Sequence, residues 1–249
     1  MHDTTVQDNG FTGVAVGEGS TAELTDCRIL RNSGPGIDVY TESSAVFKGA
    51  IRTNDNLGGG VEVNGTSILE IRGAQVEASR NGGFGLVAGS NSQLAVFGFA
   101  GSQGSTVTLD ANGGAGIALG TSILNVFSES TIAITNSPLG ILVAAGKLAS
   151  PFGVGRFVIE NNGVGLDFPF DGTAIIRGGL MVRNNGTGVR GDGAGVLLFT
   201  SIPPNPSAIT GNGVDVDLRF GTRATIEGVD VGTITCDSTV LSRGTTVCP

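Results

Sequence analysis

The sequence has no tryptophan, one tyrosine and one histidine, and aromatic residues make up only 5% of it. Charged residues are 14% of its 249 positions. No apolar run reaches the roughly 18 residues that a membrane-spanning helix needs. Each shortage removes a class. With so few charges and a mean hydropathy of +0.22, the chain lacks the polar, highly charged make-up of disordered segments. The 14 basic residues are outnumbered by 22 acidic ones, giving a net charge of −8 and a pI near 4.6, which argues against a nucleic-acid partner. The single histidine, His2, lies ahead of any recurring pattern, so histidine acid–base chemistry and a histidine-rich metal site are not expected. The N-terminal stretch MHDTTVQDNG is polar and has no signal-peptide pattern. Met1 and His2 read as a start placed ahead of the repeats, as in a piece cut from a longer protein.

Glycine is the residue present in excess, with 43 copies, more than twice the usual share. Collagen needs glycine at every third position, which is not the spacing here. Helices are weakened by about 1 kcal/mol for each interior glycine. A β-rich chain full of turns remains.

The glycines are ordered. An asparagine, three residues, a glycine and an aliphatic residue recur as NGFTGVAV from Asn9, NSGPGIDV from Asn32, NLGGGVEV from Asn56 and NGGFGLVA from Asn81. The pattern continues from Asn112, Asn136, Asn161 and Asn184, with a degenerate ninth copy, TGNGVDVDL, around Gly213. The spacings between successive glycines are 23, 24, 25, 31, 24, 25, 23 and 25. A period near 24 is too short for helical repeats and suits three short strands with three turns. Within each copy the glycine precedes a period-two stretch, a second stretch opens on Ser or Thr, and a third leads into the next Asn. Asn and Gly at the joins tolerate positive φ, and stacked Asn side chains can hydrogen-bond to one another.

This N-x-x-x-G-[IVL] repeat resembles the parallel β-helix repeat of the pectate-lyase-like superfamily, over about residues 4–235. The resemblance implies an all-β fold: a single-stranded right-handed parallel β-helix of about nine coils, three short strands per coil. Coils at about 4.8 Å spacing make a rod on the order of 43 Å long. The superfamily holds lyases, hydrolases, epimerases, tailspikes and non-enzymatic surface proteins, so the resemblance is specific for fold and weak for activity.

Alternation assigns faces. The residue after each glycine, from Val14, Ile37 and Val61 to Val214, should point inward. The residue two after it should point outward, which places Asp38 over Glu62 on adjacent coils. Two carboxylates so close raise at least one pKa, and a cation would relieve them. The pair reads either as solvated surface acids or as a calcium site or acid–base pair. Further along, Asp167, Arg190 and Asp215 alternate in sign as a surface salt ladder. Between these groups Val87, Ala118 and Leu142 form an apolar strip, a surface for burial against a loop, a flanking segment or a second copy of the chain. Phe47, Phe97, Phe127, Phe152 and Phe199 recur near one coil position. They form either an internal stack or an exposed ladder for sugars, which more often use Trp and Tyr.

Pectate lyases of this fold bind Ca²⁺ through clustered Asp and abstract a proton with Arg or Lys. The resemblance therefore implies Asp38 and Glu62 with Lys48 or Arg72 (Arg52 nearby) as the best enzymatic constellation. The NTD segment, Asp pair and His of polygalacturonases and the DPH motif of alginate epimerases are missing. GDG at Gly191–Gly193 and GGG at Gly58–Gly60 lack the Lys and helix of a phosphate loop and are turns. Scattered Thr-x-Thr stretches do not make an ice-binding array. Loops are short, except the 31-residue coil near Phe97–Thr106 and the Pro-rich Ser201–Ala208.

Residues 1–235 read as the solenoid. Residues 236–249 read as a C-terminal cap segment of the same domain, breaking the coil pattern and pinned by a Cys236–Cys248 disulfide that suits an exported protein. Cys27 reads as a buried core thiol. The sequence thus favours a non-enzymatic extracellular or envelope-associated module, structural, adhesive or polysaccharide-contacting. The alternative is a polysaccharide lyase or hydrolase, with or without calcium. Expected partners are a polysaccharide or another protein chain, including a homo-oligomer through the apolar strip or the uncapped N-terminal end. Neither nucleic acid nor a transmembrane segment is expected.

Overall fold

A computed structural model describes residues 1–98, 104–127, 129–151, 155–193, 195–244 and 248. Among these residues there is no helix, and so none long and apolar enough to cross a membrane. The strands wind as a parallel β-solenoid of about nine turns. One sheet has ten strands, running from Val14–Val16 through Ile37–Val39, Val61–Val63 and Leu86–Ala88 to Ile234–Cys236. The other has eighteen strands in two arms. The first arm runs through Ile68–Arg72, Gln93–Phe97 and Ile123–Val126, the second through Thr5–Gln7, Gln75–Glu77 and Thr106–Asp110. Two long strands, Thr21–Leu30 and Ser44–Asn54, turn the corner and join the arms, with a register shift between Thr25 and Cys27. Each coil therefore contributes one stretch to each of three faces, as the period requires.

The inward ladder is as expected for eight coils. Val14, Ile37, Val61, Leu86, Ile117, Ile141, Leu166 and Val189 pair in register from coil to coil. The ninth rung is Val216, not Val214. The shift explains what the repeat glycine does. A β-carbon on Gly36, Gly60, Gly85 or Gly188 would stand 2.5–2.7 Å from a backbone oxygen of the next coil, closer than packed atoms come. The glycine is demanded by this close approach, not by a left-handed backbone. In the ninth coil the same place is held by Asp215, whose backbone oxygen is the atom that would meet a β-carbon on Gly188.

At this turn positive φ falls instead on the residue just before the ladder Asn or, in the sixth coil, before Ser137. These residues are Asp8 (58°), Arg31 (51°), Asp55 (60°), Arg80 (55°), Ala111 (53°), Asn136 (56°), Asn161 (60°), Asn184 (57°) and Gly211 (71°). Asn136, Asn161 and Asn184 are therefore the turn residues, and the stacked side chain is the next one.

The stack itself is continuous. Asn9 Nδ2 donates to Asn32 Oδ1 at 2.8 Å, Asn32 to Asn56 at 2.9 Å, Asn56 to Asn81 at 3.0 Å and Asn81 to Asn112 at 3.0 Å. Ser137 bridges the sixth coil: Asn112 N donates to its Oγ, and its own N donates to Asn162 Oδ1. Asn162, Asn185 and Asn212 continue the run. A second buried ladder joins the ten-stranded sheet to the first arm. There the backbone N of Ser20, Ser43, Ser67 and Ser92 each donates to the hydroxyl of the next coil's serine, ending on Ser122. Buried polar groups of this kind are stable only when paired, and both ladders pair them.

The C-terminal segment carries one more strand of the first arm. Leu241–Gly244 pairs in parallel with Arg223–Glu227, so residues after 236 add a further strand rather than breaking the coil. The Cys236–Cys248 disulfide is present, with a Cα–Cα separation of 5.6 Å, and Cys27 is a free buried thiol.

Candidate functional site

Asp38 and Glu62 stand in register on adjacent strands of the ten-stranded sheet, both half-buried. Burial pushes the Asp38 carboxyl above its usual range, and one of its oxygens, Oδ1, is buried without a hydrogen-bond partner. Burial also raises Glu62, and the charge of Asp38 raises it further, against a lowering backbone hydrogen bond from Gly59. Burial is thus the main cause of both shifts, and the like charge on the neighbouring strand adds to it at Glu62.

The basic residues grouped with this pair lie on the other sheet. Lys48 is in Ser44–Asn54 and Nζ binds Glu23 Oε2 at 2.7 Å. Arg72 ends Ile68–Arg72 and binds Glu70. Arg52 faces Glu77 at 3.4 Å. The ten or so residues separating acid from base carry the chain round a corner, so the four-residue constellation is not assembled. Calcium takes six to eight oxygens, whereas among the described residues no group of three or more His, Cys, Asp or Glu is gathered. The pair does not fit a calcium cage.

The salt ladder is corrected by one residue pair. Asp167 and Arg190 make a two-pronged bond at 2.8 and 2.7 Å, with Asp167 buried. The next rung is Asp217, in register with Arg190, and Asp217 binds Arg219. Asp215 lies inside, at the end of the Asn ladder. Its burial raises the carboxyl, but hydrogen bonds from the backbone of Thr233 and Asn212 and from both side chains hold it below the usual carboxylate range.

Val87, Ala118 and Leu142 align as an outward strip, in register between Glu62 and Asp167. Val87 and Leu142 are half-buried and Ala118 is 6% exposed.

The phenylalanines belong to two columns rather than one. Phe47 packs inward, in register with Leu24 and Ile71, and Phe199 packs inward beside Ile176 and Ile226. Phe97 and Phe127 sit one position later and therefore on the outer face, half-buried. Their rings stack with centroids 4.8 Å apart and planes 2° from parallel. Arg72, the register partner of Phe97, places its guanidinium carbon 6.0 Å from that ring's centroid. The Phe97 ring thus stacks on Phe127 and has the Arg72 guanidinium 6.0 Å from its centroid. Phe152 lies outside the described residues, as do 99–103 in the long coil.

One polar feature was not legible beforehand. On the outer face of the second arm, a groove of about 230 Å³ is lined by Asp3, Asp26, Arg28, Ala50 and Arg52. It shares Ala50 and Arg52 with a second groove of about 300 Å³ that adds Gln75, Val76, Glu77, Thr106 and Thr108. Arg28 and Arg52 are in register on adjacent coils, and Arg28 pairs with no carboxylate among the described residues. Alanine at position 50 keeps the floor low between long polar walls.

Residues 1–97 match the family model described as the right handed beta helix region. No curated protein matches the chain. With the strand order and register above, the chain is a right-handed parallel β-solenoid of about nine turns, and the family match covers its first part.

Proposed function

We propose that this β-helix is a non-enzymatic module of the extracellular or cell-envelope space that holds a polysaccharide along the groove of Arg28, Arg52, Gln75, Glu77, Thr106 and Thr108. The observation that carries the reading is the groove's course: it crosses four neighbouring strands, Thr21–Leu30, Ser44–Asn54, Gln75–Glu77 and Thr106–Asp110. A trough along the rod suits an extended polymer. Arg28 is the groove's cation without a carboxylate partner among the described residues, Arg52 being held by Glu77 at 3.4 Å, and it offers a guanidinium to a polymer carboxylate, while Gln and Thr supply hydrogen bonds for hydroxyls. The Cys236–Cys248 disulfide supports an oxidising compartment.

The test is titration of the full chain with polygalacturonate, alginate and a neutral glucan, with product assays alongside. A uronate polymer should bind without being cut, and Arg28→Ala with Arg52→Ala should weaken binding at least tenfold. Unchanged binding in that double variant would overturn the groove. A second reading, a lyase or hydrolase, rests on the raised pKa values of Asp38 and Glu62. Turnover that Asp38→Ala and Glu62→Ala abolish would establish it in place of the first.

A further inference from the structure

In every coil the chain turns between the ten-stranded sheet and the first arm. In the first four coils the non-glycine residues holding positive φ at this corner are Glu18, Thr41, Glu42, Thr66, Ser90 and Asn91. All are polar, as expected of exposed turn tips. The ninth coil departs from this. Phe220 holds φ 50° there and is 70% exposed. A bulky aromatic side chain resists that backbone region, and water resists its exposure, so the position is disfavoured twice. Phe170, on the same corner two coils earlier, is 67% exposed, and Gly193 occupies the turn between them. Val196 and Leu241, which open strands leaving this corner, are 44% and 63% exposed. Strain combined with exposure is more often found at working surfaces than at scaffolding.

The charges around the two rings are mostly negative. Asp171 is exposed beside Phe170, Asp192 precedes Gly193, and Asp237 Oδ2 accepts the backbone N–H of Phe220 at 2.9 Å. Arg219 is held by both oxygens of Asp217 at 3.1 and 2.9 Å. Lys147, which opens the strand in register with Thr173, and Arg223 are cations here that pair with no carboxylate among the described residues. Three carboxylates against two unpaired cations leave the corner net negative, which disfavours an anionic lipid surface and favours a basic partner.

We propose that this corner docks an extended protein segment bearing apolar side chains next to Lys or Arg, the apolar groups seating between Phe170 and Phe220 over Gly193. The reading is independent of the polysaccharide groove, which lies on the second arm.

The experiment uses the full chain with three probes: a blocked peptide alternating Leu and Lys, its counterpart alternating Leu and Glu, and vesicles of phosphatidylcholine with phosphatidylglycerol. The Lys peptide should bind and the Glu peptide should not. Phe170→Ser with Phe220→Ser should weaken the Lys peptide at least tenfold at unchanged melting temperature, and Asp171→Asn two- to threefold. Phe220→Asn, which suits the left-handed turn, should raise the melting temperature while weakening the peptide, an effect a purely structural Phe220 would not produce. Equal affinity for both peptides, binding untouched by the Phe variants, or vesicle binding that depends on the two rings would each overturn the proposal.

Discussion

Asn212 donates its Nδ2 to Asp215 Oδ1 at 2.9 Å, so a column of amides ends on a carboxylate. A carboxylate only accepts, and here it accepts from the backbone and side chains of both Asn212 and Thr233. It completes the column without leaving a donor unmatched.

Asp215 is therefore a pH-dependent stabiliser. Its folded pKa lies below the reference of 3.8, so its contribution is complete above that value and is lost as pH falls through the lower folded value. Asp215→Asn is expected to lower stability at pH 7 by about 1–3 kcal/mol. Its melting temperature and that of the parent should converge as pH is taken from 7 towards 2.

Asp38 and Glu62 have the opposite sign. Their folded pKa values are raised above 3.8 and 4.5, so the fold is best served with them protonated and loses stability as pH rises through those folded values. Asp38→Asn or Glu62→Gln should raise stability at pH 7 by roughly 0.2–1 kcal/mol, the scale of one cross-strand charge repulsion. Denaturant titration should show the gain fading near pH 3, and the double variant should gain less than the sum because the two sites share one repulsion.

Neighbouring asparagines should behave differently. Asn162 is buried and bonded to Asn185, Ile134 and Glu160, so Asn162→Ala should cost about 1–3 kcal/mol for each polar group left unpaired. Asn161, one residue earlier, is exposed at φ 60°. Asn161→Gly should be close to neutral in the same chemical-denaturation assay, and Asn161→Ala should cost about 1–2 kcal/mol through the backbone alone.

Among the glycines, Gly85→Ala should destabilise by about 1–3 kcal/mol as an overpacked site, because the new carbon meets Gly116 O at 2.6 Å and Asn112 Nδ2 at 2.9 Å. Gly10 has nothing within 4 Å and no positive φ. Gly10→Ala should stabilise by about 0.4–1 kcal/mol, by restricting the unfolded chain. Thermal melts of the two variants make the comparison.

The architecture was legible because one residue pair, Asn and Gly, is required once per coil for reasons independent of the rest. Errors arose where that requirement is ambiguous in letters alone. Asn161–Asn162 and Asn184–Asn185 offer two asparagines, of which only the second stacks, and the glycine place of the ninth coil holds Asp215. The phenylalanines mislead through parity: Phe47 and Phe97 sit one register position apart, and a slip of one residue reverses the face. The groove was hidden because Arg28 and Arg52 lie beyond the corner of two long strands, where a bulge between Thr25 and Cys27 breaks simple alternation. Chemical pairing is the least legible level. Nothing in the spacing of Lys48 or Arg72 announces that Glu23 and Glu70 already hold them.

The register gives the rod a mechanical grain. Almost every backbone partner of a residue lies one coil away, from 18 positions along the chain at Arg223 and Leu241 to 31 at Gln75 and Thr106. A pull on the terminus would load one coil at a time, and each would release a similar length before the next is engaged. Resistance to force should therefore appear as a regular series of small steps, with the first set by the Cys236–Cys248 staple when the load is applied from that end.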